Sequence, residues 1–502
     1  MKFLNLILIL VAVVLISSCS FLNEEYELSK NDRQLAVPIA YGNITLSDVI
    51  ERSKGFANIK VDGDGKITLL YKGELLRENS TKIFPPFPGL LEFPIEDTVK
   101  NVSLPVNPAY RIDKGVFDNT NLGFKFAHDI KEVINVTMEI LSVKKDGQTW
   151  KQNYTLDFTN DADGIIVVPK ISALDYTALP SENKITFNYK AIRPNGERIK
   201  LKTVNLNFDF LRFKYLDGYF GNHTFDIKGD VIEINLFDRW KSGGFEIINP
   251  KINLDVDNAF GFPVRSKVNE LVLFTVGGNA LKVESEYINK GIDFGFPLIS
   301  EIGTIKNTKF QFNSNNSNVG QLFKDKVIKV VYDFDALANP NGDTGLKNFF
   351  SSDAFFSVNV DVELPMQISA KEFTIVDTFE INLKDFNDIK AADFKISTIN
   401  SFPVESIVSA YFLDENGVVI DQLDDMENIK VDASTIDVNG KIITSSENQK
   451  VIKFDNERFE KLKKSKRILM TASFDTSKKY TAPVWLLENY GIDIKLSAIA
   501  TI

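Results

Sequence analysis

The sequence repeats itself at an interval of 140 residues, and this repetition constrains the fold more than any other feature. Phe262-Pro263-Val264 recurs as Phe402-Pro403-Val404. The block at 322–335 shares six residues with the block at 462–475, again at an interval of 140. Because two separated blocks share one interval, we infer that a structural unit of about this length occurs in tandem.

A fainter copy precedes these two. Ile185 and Tyr189 align with Ile328 and Tyr332, and each copy closes on a strand in which apolar and polar residues alternate. The closing strands are Val204–Phe208, Val358–Val362 and Ile492–Leu496. The predicted division is a signal peptide at 1–18, a tether, hairpin and Pro-rich link at 19–94, and three repeats at 95–215, 216–368 and 369–502.

Each repeat reads as β structure. Short alternating strands are separated by Gly, Asn and Asp turns, several of them Asn-Gly or Asp-Gly pairs that adopt the positive φ of tight hairpins. One short helix is predicted at 456–466, capped by Asp455, with Phe459 and Leu462 on its apolar face. We therefore predict a mainly β chain of three tandem antiparallel β-sandwiches, each with a short helix, after a small N-terminal region.

A sequence motif accompanies the repeats. In the second and third copies a strand, an Asn, a Phe-Pro pair and a further strand follow one another around Phe262 and Phe402. This pattern resembles the LEA-2/WHy type of β-sandwich over a short stretch of each repeat. The resemblance implies an Ig-like or LEA-2-like sandwich and carries no implication for activity.

The first residues indicate export and lipidation. Lys2 precedes an apolar stretch from Phe3 to Ile16, which has the length of a secretory signal. Leu15 to Cys19 resembles a bacterial lipobox, which implies cleavage before Cys19 and attachment of diacylglyceryl and acyl (palmitate-type) chains there. Several acyl chains give stable membrane anchoring. The alternative is an ordinary cleaved signal with an incidental cysteine.

A short acidic segment follows the cysteine. Asn23, Glu24 and Glu25 are similar to the tag with which Bacteroidota lipoproteins reach the outer-membrane surface. The resemblance implies an outer-membrane lipoprotein on the cell-surface face, with the periplasmic face as the alternative.

Composition excludes several function classes. The 502 residues include one Cys and two His, which rules out a disulfide framework and a Cys/His zinc site. A net charge of −10 argues against sequence-independent nucleic-acid binding. There is no nucleophile elbow and no phosphate-binding glycine loop, so we predict no enzyme activity and no cofactor.

The remaining candidates have plainer interpretations. Asp62–Gly65 and Asn160–Gly164 resemble the start of calcium loops, but both lack later ligands and fit hairpin turns better. His128 and His223 fit structural positions. The basic cluster at 461–467 is interpreted as a solvated helix face, with contact to an anionic partner as the alternative.

The tryptophans offer one candidate contact. We expect Trp485 to be buried, whereas Trp240 precedes a Lys-Ser-Gly-Gly turn and is the best candidate for an exposed ligand contact. Our leading hypothesis is a non-enzymatic, lipid-anchored subunit of an outer-membrane complex for transport, secretion or β-barrel assembly, with β-barrel or lipoprotein partners. The alternative is a surface glycan-binding or adhesive lipoprotein.

Overall fold

The computed structural model describes residues 34–46, 57–73, 76–83, 90–95, 97–160, 163–209, 211–226, 229–380, 391–423 and 427–501. Within these ranges the chain is mainly β, with antiparallel sheets and few short helices, which confirms the predicted secondary-structure class. The signal peptide, Cys19 and the Pro-rich link at 84–89 lie outside the described residues.

The strands follow the chain in three groups. Those that begin before residue 210 are β1 (Gln34–Thr45), β2 (Asn58–Val61), β3 (Ile67–Lys72), β4 (Leu76–Asn79), β5 (Leu90–Ile95), β6 (Val99–Ser103), β7 (Arg111–Phe117), β8 (Asn121–Ala127), β9 (Val133–Lys145), β10 (Gln148–Asp157), β11 (Ile165–Val167), β12 (Ile171–Ser172), β13 (Thr177–Ala178), β14 (Lys184–Ile192), β15 (Arg198–Ile199) and β16 (Thr203–Asp209). The next group is β17 (Phe213–Tyr219), β18 (His223–Phe225), β19 (Asp230–Glu233), β20 (Trp240–Ile247), β21 (Lys251–Asn258), β22 (Val264–Thr275), β23 (Ala280–Lys282), β24 (Asp293–Phe294), β25 (Lys306–Phe312), β26 (Val327–Ala338), β27 (Asn348–Ser351), β28 (Phe355–Pro365) and β29 (Gln367–Glu380). The last group is β30 (Ala391–Asn400), β31 (Glu405–Leu413), β32 (Val419–Gln422), β33 (Ile429–Val431), β34 (Thr435–Ile436), β35 (Ile442–Thr444), β36 (Ser446–Phe454), β37 (Arg467–Asp475), β38 (Val484–Trp485) and β39 (Gly491–Thr501).

Helical structure is limited to short segments in the described chain. The α-helices are α1 (Ser80–Ile83), α2 (Glu286–Lys290), α3 (Val319–Leu322) and α4 (Asn456–Leu462), and the 3₁₀ turns are Asn235–Phe237 and Ile299–Glu301.

The larger sheets form three pairs, which we label by letter. Sheet A runs β11-β8-β16-β5, and sheet B runs β15-β14-β9-β13-β7-β17-β27 with β6 and β10 alongside. Sheet C runs β2-β3-β28-β21-β25 with β4, and sheet D runs β18-β26-β22-β23 with β19 and β24. Sheet E runs β1-β39-β30-β36, and sheet F runs β20-β29-β37-β31-β32 with β33 and β38.

The three pairs share one strand plan. In each, a strand of the first sheet (β8, β21 or β30) leads into a strand of the second (β9, β22 or β31), which pairs with β14, β26 or β37. The chain then returns to the first sheet as β16, β28 or β39. The aligned residues Ile185 and Ile328 lie in β14 and β26, and the predicted closing strands lie in these returning strands.

The N-terminal region does not stand apart from the repeats. Its predicted hairpin forms from β2 and β3, but β3 and β4 also pair with β28 of sheet C. Ahead of it, β1 pairs with β39 of sheet E, and behind it β5 pairs with β16 of sheet A. The N-terminal segment therefore adds a strand beside each closing strand, starting at the third pair and ending at the first.

The sheet pairs connect in series. Gly261, beyond the end of β21, exchanges two backbone hydrogen bonds with Phe349 of β27, which joins β17 in sheet B. At the opposite end of sheet C, β28 passes through buried Met366 into β29 of sheet F. Apolar side chains of the second and third pairs form one continuous core, while the first pair has a core of its own.

Two buried asparagines hold the Phe-Pro bends of the repeats. Asn400 is 2% exposed; its Oδ1 accepts from the Phe402 N–H, and its amide group donates to the carbonyl oxygens of Phe402, Val404 and Asp432. Asn258 acts in the same way, accepting from the N–H two residues ahead and donating to a carbonyl in a neighbouring loop. In both repeats a buried polar side chain thus supplies hydrogen bonds to backbone groups at the point where the chain passes from one sheet to the other.

The predicted helices are corrected in two respects. Asp455 caps α4 through the Arg458 N–H, and Phe459 and Leu462 are buried as predicted, but the helix ends at Leu462 rather than residue 466. In the described part of the first pair no helix precedes β14. Pro180 and the positive φ of Glu182 and Asn183 make a tight turn there instead.

Replacement of Asn400 by Ala is expected to lower the free energy of unfolding by roughly 2 kcal/mol, because buried backbone groups lose their partner. Urea denaturation followed by tryptophan fluorescence measures the change. Asn195→Ala, in an exposed turn, is the matched control and should change stability by about 0.5 kcal/mol or less. Equal midpoints for the two variants would contradict the role given to Asn400.

Candidate interaction surfaces

The predicted lipidation and export residues precede the described chain. Cys19, Asn23, Glu24 and Glu25 all lie outside it, and the first described residue is Gln34. Gln34 pairs with Thr501 at the end of sheet E that is remote from the second sheet pair.

Trp240 opens β20 and is partly covered. Its half-buried ring packs against the core of the second and third pairs, and its indole N–H donates to the Gly243 carbonyl oxygen at 3.1 Å. The Lys326 ammonium lies 4.6 Å from the ring centroid. A flat ligand such as a sugar ring would have to displace this ammonium to stack on that face.

The other two tryptophans offer less surface. Trp150 is fully buried against Phe124, with ring centroids 5.7 Å apart. Trp485, expected to be buried, is half-buried, and the Lys66 ammonium lies 5.5 Å from its ring centroid. Among the described residues the strongly exposed large apolar side chains are aliphatic, apart from Tyr41.

The two calcium candidates behave as turns where they are described. Oδ1 of Asp62 accepts the backbone N–H groups of Asp64 and Lys66, both at 2.9 Å, and the Lys66 ammonium pairs with Asp64. The second candidate is only partly described, since 161–162 lie outside. The described residues contain no group of three or more Asp, Glu, His or Cys side chains placed to hold a metal ion.

Two residues of the predicted basic cluster form ion pairs with acidic residues of α4. Lys461 contacts Glu457 at 3.0 Å and Lys463 contacts Glu460 at 2.5 Å. The neighbouring Arg458 binds Glu427 and Asp421 and stacks on Phe454, and hydrogen bonding to Glu427 raises its pKa. Lys461 and Lys463 are therefore neutralised by their own helix.

His128 is a buried position. It follows β8, is 8% exposed, and its ring centroid lies 6.0 Å from that of Phe158. In the described structure its Nε2 has no hydrogen-bond partner. Burial lowers the pKa of His128, Arg193 lowers it further, and Asp129 and Glu132 oppose the shift. The other histidine, His223, lies in β18.

A loop of exposed aliphatic residues was missed in the sequence. Leu298, Ile299, Ile302 and Ile305 are each between 45% and 51% exposed, within a loop of eight residues that we call the apolar loop (298–305). In the sequence this loop is marked only by its high density of Leu and Ile, and a strand buried in the core would show the same density. Contiguous apolar patches of this kind mark interaction sites on soluble folds.

Internal hydrogen bonds hold the apolar loop in place. The Glu301 carboxylate accepts the Leu298 N–H at 2.9 Å and pairs with the Lys306 ammonium at 2.7 Å. These two contacts, the Leu298 N–H first, lower the pKa of Glu301. Because Lys306 of β25 neutralises Glu301, the outer surface of the loop is left to the aliphatic side chains.

Equivalent edges of the other pairs also expose aliphatic side chains. The strands β11, β25 and β36 occupy the same place in the shared plan, each beside the first strand of its sheet. Ile165 and Val167 on β11 are exposed, as is Val451 on β36, while the apolar loop leads directly into β25.

The outer face of sheet B has the opposite character. Side-chain hydrogen bonds join Thr137 to Asn153 at 2.8 Å, Thr155 to Asn135 at 3.1 Å and Thr186 to Asn101 at 2.8 Å. We call these six residues the polar face. Its amide and hydroxyl groups, which lie beside the ion pair of Lys151 and Glu139 on the same face, can exchange hydrogen bonds with another polar surface.

Comparisons with known proteins do not identify a function for these surfaces. No family model matches the sequence, and no curated protein matches it. A crystal structure of a "putative secreted protein" from Parabacteroides distasonis is 12% identical, with 93% of this chain and 99% of that chain covered and a TM-score of 0.27. The VP2 subviral particle of infectious bursal disease virus is 9% identical, with coverages of 98% and 86% and a TM-score of 0.15. At these scores neither similarity carries an argument about fold or function.

The described chain contains no helix that is long and apolar enough to cross a membrane.

Acidification is expected to destabilise the protein through His128. Because its folded-state pKa is lowered, the unfolded chain takes up the proton first, so stability falls as the pH drops below about 6.5. The urea midpoint should therefore fall between about pH 7.5 and pH 5.5 by more in the wild type than in His128→Gln. Parallel pH dependences in the two proteins would show that His128 is not the group responsible.

Proposed function

We propose that this chain is a non-enzymatic, lipid-anchored outer-membrane lipoprotein that serves as an interaction subunit of an outer-membrane protein complex. Its three repeats act as tandem β-sandwich domains, Ig-like or LEA-2-like, and its lipid is attached at Cys19. The complex is one of transport, secretion or β-barrel assembly, and the protein lies on the cell-surface face of the membrane.

The apolar loop is the observation that carries this proposal. Its four aliphatic side chains stand on a well-braced backbone, and its one carboxylate is neutralised by Lys306. Contact between a surface of this composition and another apolar surface is favourable by roughly 25 cal/mol per Å² of apolar area buried. A polysaccharide offers hydroxyl groups instead, so the loop favours a protein partner.

The path of the N-terminal segment supports the anchored arrangement. Gln34 lies at one end of the series of sheet pairs, and the Cys19 tether continues from it. An anchor at that end would place the first sheet pair farthest from the membrane. The apolar loop, which lies in the second sheet pair, would remain accessible to a partner.

A second candidate function rests on the polar face of sheet B. A flat array of Asn and Thr side chains in the pair farthest from the tether suits hydrogen bonding to glycan hydroxyls, as an adhesive or glycan-binding lipoprotein requires. Trp240 would be a further contact only after Lys326 moves away from its ring.

Site-specific photo-crosslinking in native cells tests the leading proposal. A photoreactive residue at Ile302 should crosslink to a single outer-membrane protein, whereas the same residue at Val231, which is similarly exposed on β19, should not. The variant Ile299→Ser/Ile302→Ser should reduce recovery of that partner about tenfold or more in mild-detergent purification, since buried apolar anchors carry most interface energy.

Two outcomes would count against the proposal. If Cys19→Ala leaves the protein in the outer membrane, the anchor is misassigned. If the abundant wild-type protein is recovered without a partner and Ile302 gives no crosslink, the complex-subunit function fails, and binding to a glycan array with Asn153→Ala/Thr155→Ala as comparison becomes the next test.

A further inference from the structure

The strand that follows the proposed anchor lies along β39, the last strand of the described chain. In β1, eleven of the twelve residues pair antiparallel with β39, from Gln34 opposite Thr501 to Thr45 opposite Gly491, with one register shift between Pro38 and Ala40. The chain enters this pair at the free end of sheet E and runs inward, toward the second sheet pair. On the outer face the Tyr41 hydroxyl donates to the Asp493 carboxylate at 3.2 Å, adding a side-chain link across the two strands.

The inner end of β1 is fastened into the core. Leu46, the next residue, is 3% exposed, and its N–H donates to the Tyr490 carbonyl oxygen at 2.7 Å. On its other edge β39 pairs with β30 over ten residues. A load that reaches β39 therefore passes into the interior of sheet E rather than to a free edge.

The direction of a pull decides how such a pair responds. A force that draws Cys19 away from the body acts on Gln34 along the axis of β1, so β1 would have to slide past β39. All the hydrogen bonds between the strands then resist together. A force that separates Gln34 from Thr501 acts across the strands instead and opens one residue pair at a time.

We propose that β1 is a mechanical clamp, loaded in shear, that keeps the protein folded when it is under tension between its membrane anchor and a bound partner. This inference rests on the proposed anchoring through Cys19. Tension applied at the second or first sheet pair, where the apolar loop and the polar face lie, would reach the anchor through β39 and β1.

Single-molecule stretching of the non-lipidated chain from Cys19 to Ile502 tests the clamp directly. Cys19 is the only thiol, so a DNA handle can be attached there, with the second handle at Asn195→Cys for the shear geometry or at Ile502→Cys for the zipper geometry. Asn195 lies in the turn after β14, at the far end of the first sheet pair. The first rupture should need a several-fold higher force in the shear geometry than in the zipper geometry.

A variant assigns the shear rupture to β1. Ile44→Pro removes one backbone N–H near the inner end of the strand. In the shear geometry all residue pairs share the load, so this variant should lower the rupture force. In the zipper geometry the first step begins at Gln34, at the other end of the strand, so its force should be unchanged.

Equal rupture forces in the two geometries, or a shear force that Ile44→Pro does not alter, would overturn the clamp. These results are independent of the proposed function, because the stretched protein carries neither lipid nor partner. Conversely, failure to find a membrane partner would leave the measured forces as they are.

Discussion

Backbone pairing between the N-terminal strands and the closing strands is the interaction on which the rest of this structure depends. Each closing strand, β16, β28 or β39, would otherwise present a free edge of N–H and C=O groups to water. The N-terminal segment covers these edges with β5, with β3 and β4, and with β1. One continuous stretch of chain thereby ties all three sheet pairs together.

This arrangement requires contacts between residues that are far apart in the sequence. Tyr41 and Asp493 meet across β1 and β39 although they are 452 residues apart in sequence. Contacts between distant residues cost loop-closure entropy before they contribute stability, and they slow folding. Sheet E therefore acquires its edge strand only after the end of the chain has been made, whereas the hairpins within each pair can form earlier.

Much of the local structure could be predicted from the sequence because its causes are local. The residues repeated at an interval of 140 fall on equivalent strands, and Asp455 caps a helix. The partner of β1 could not be predicted, since an alternating strand fits any open edge. The apolar loop was missed for a related reason: Leu and Ile look alike in a core strand and in an exposed loop until burial is known.

The pairing of β1 with β39 places the first described strand of the chain at the third sheet pair. Paired residues of antiparallel strands have Cα atoms about 4.5–5.5 Å apart, within the range that a disulfide spans. In a Cys19→Ala background, Ala36→Cys with Ile499→Cys should form an intramolecular disulfide on mild oxidation, detected by mass spectrometry of the linked peptides. Ala36→Cys with Ile494→Cys, displaced by five residues along β39, should form none. Equal yields from the two pairs, or no disulfide in the first, would contradict the pairing of β1 with β39.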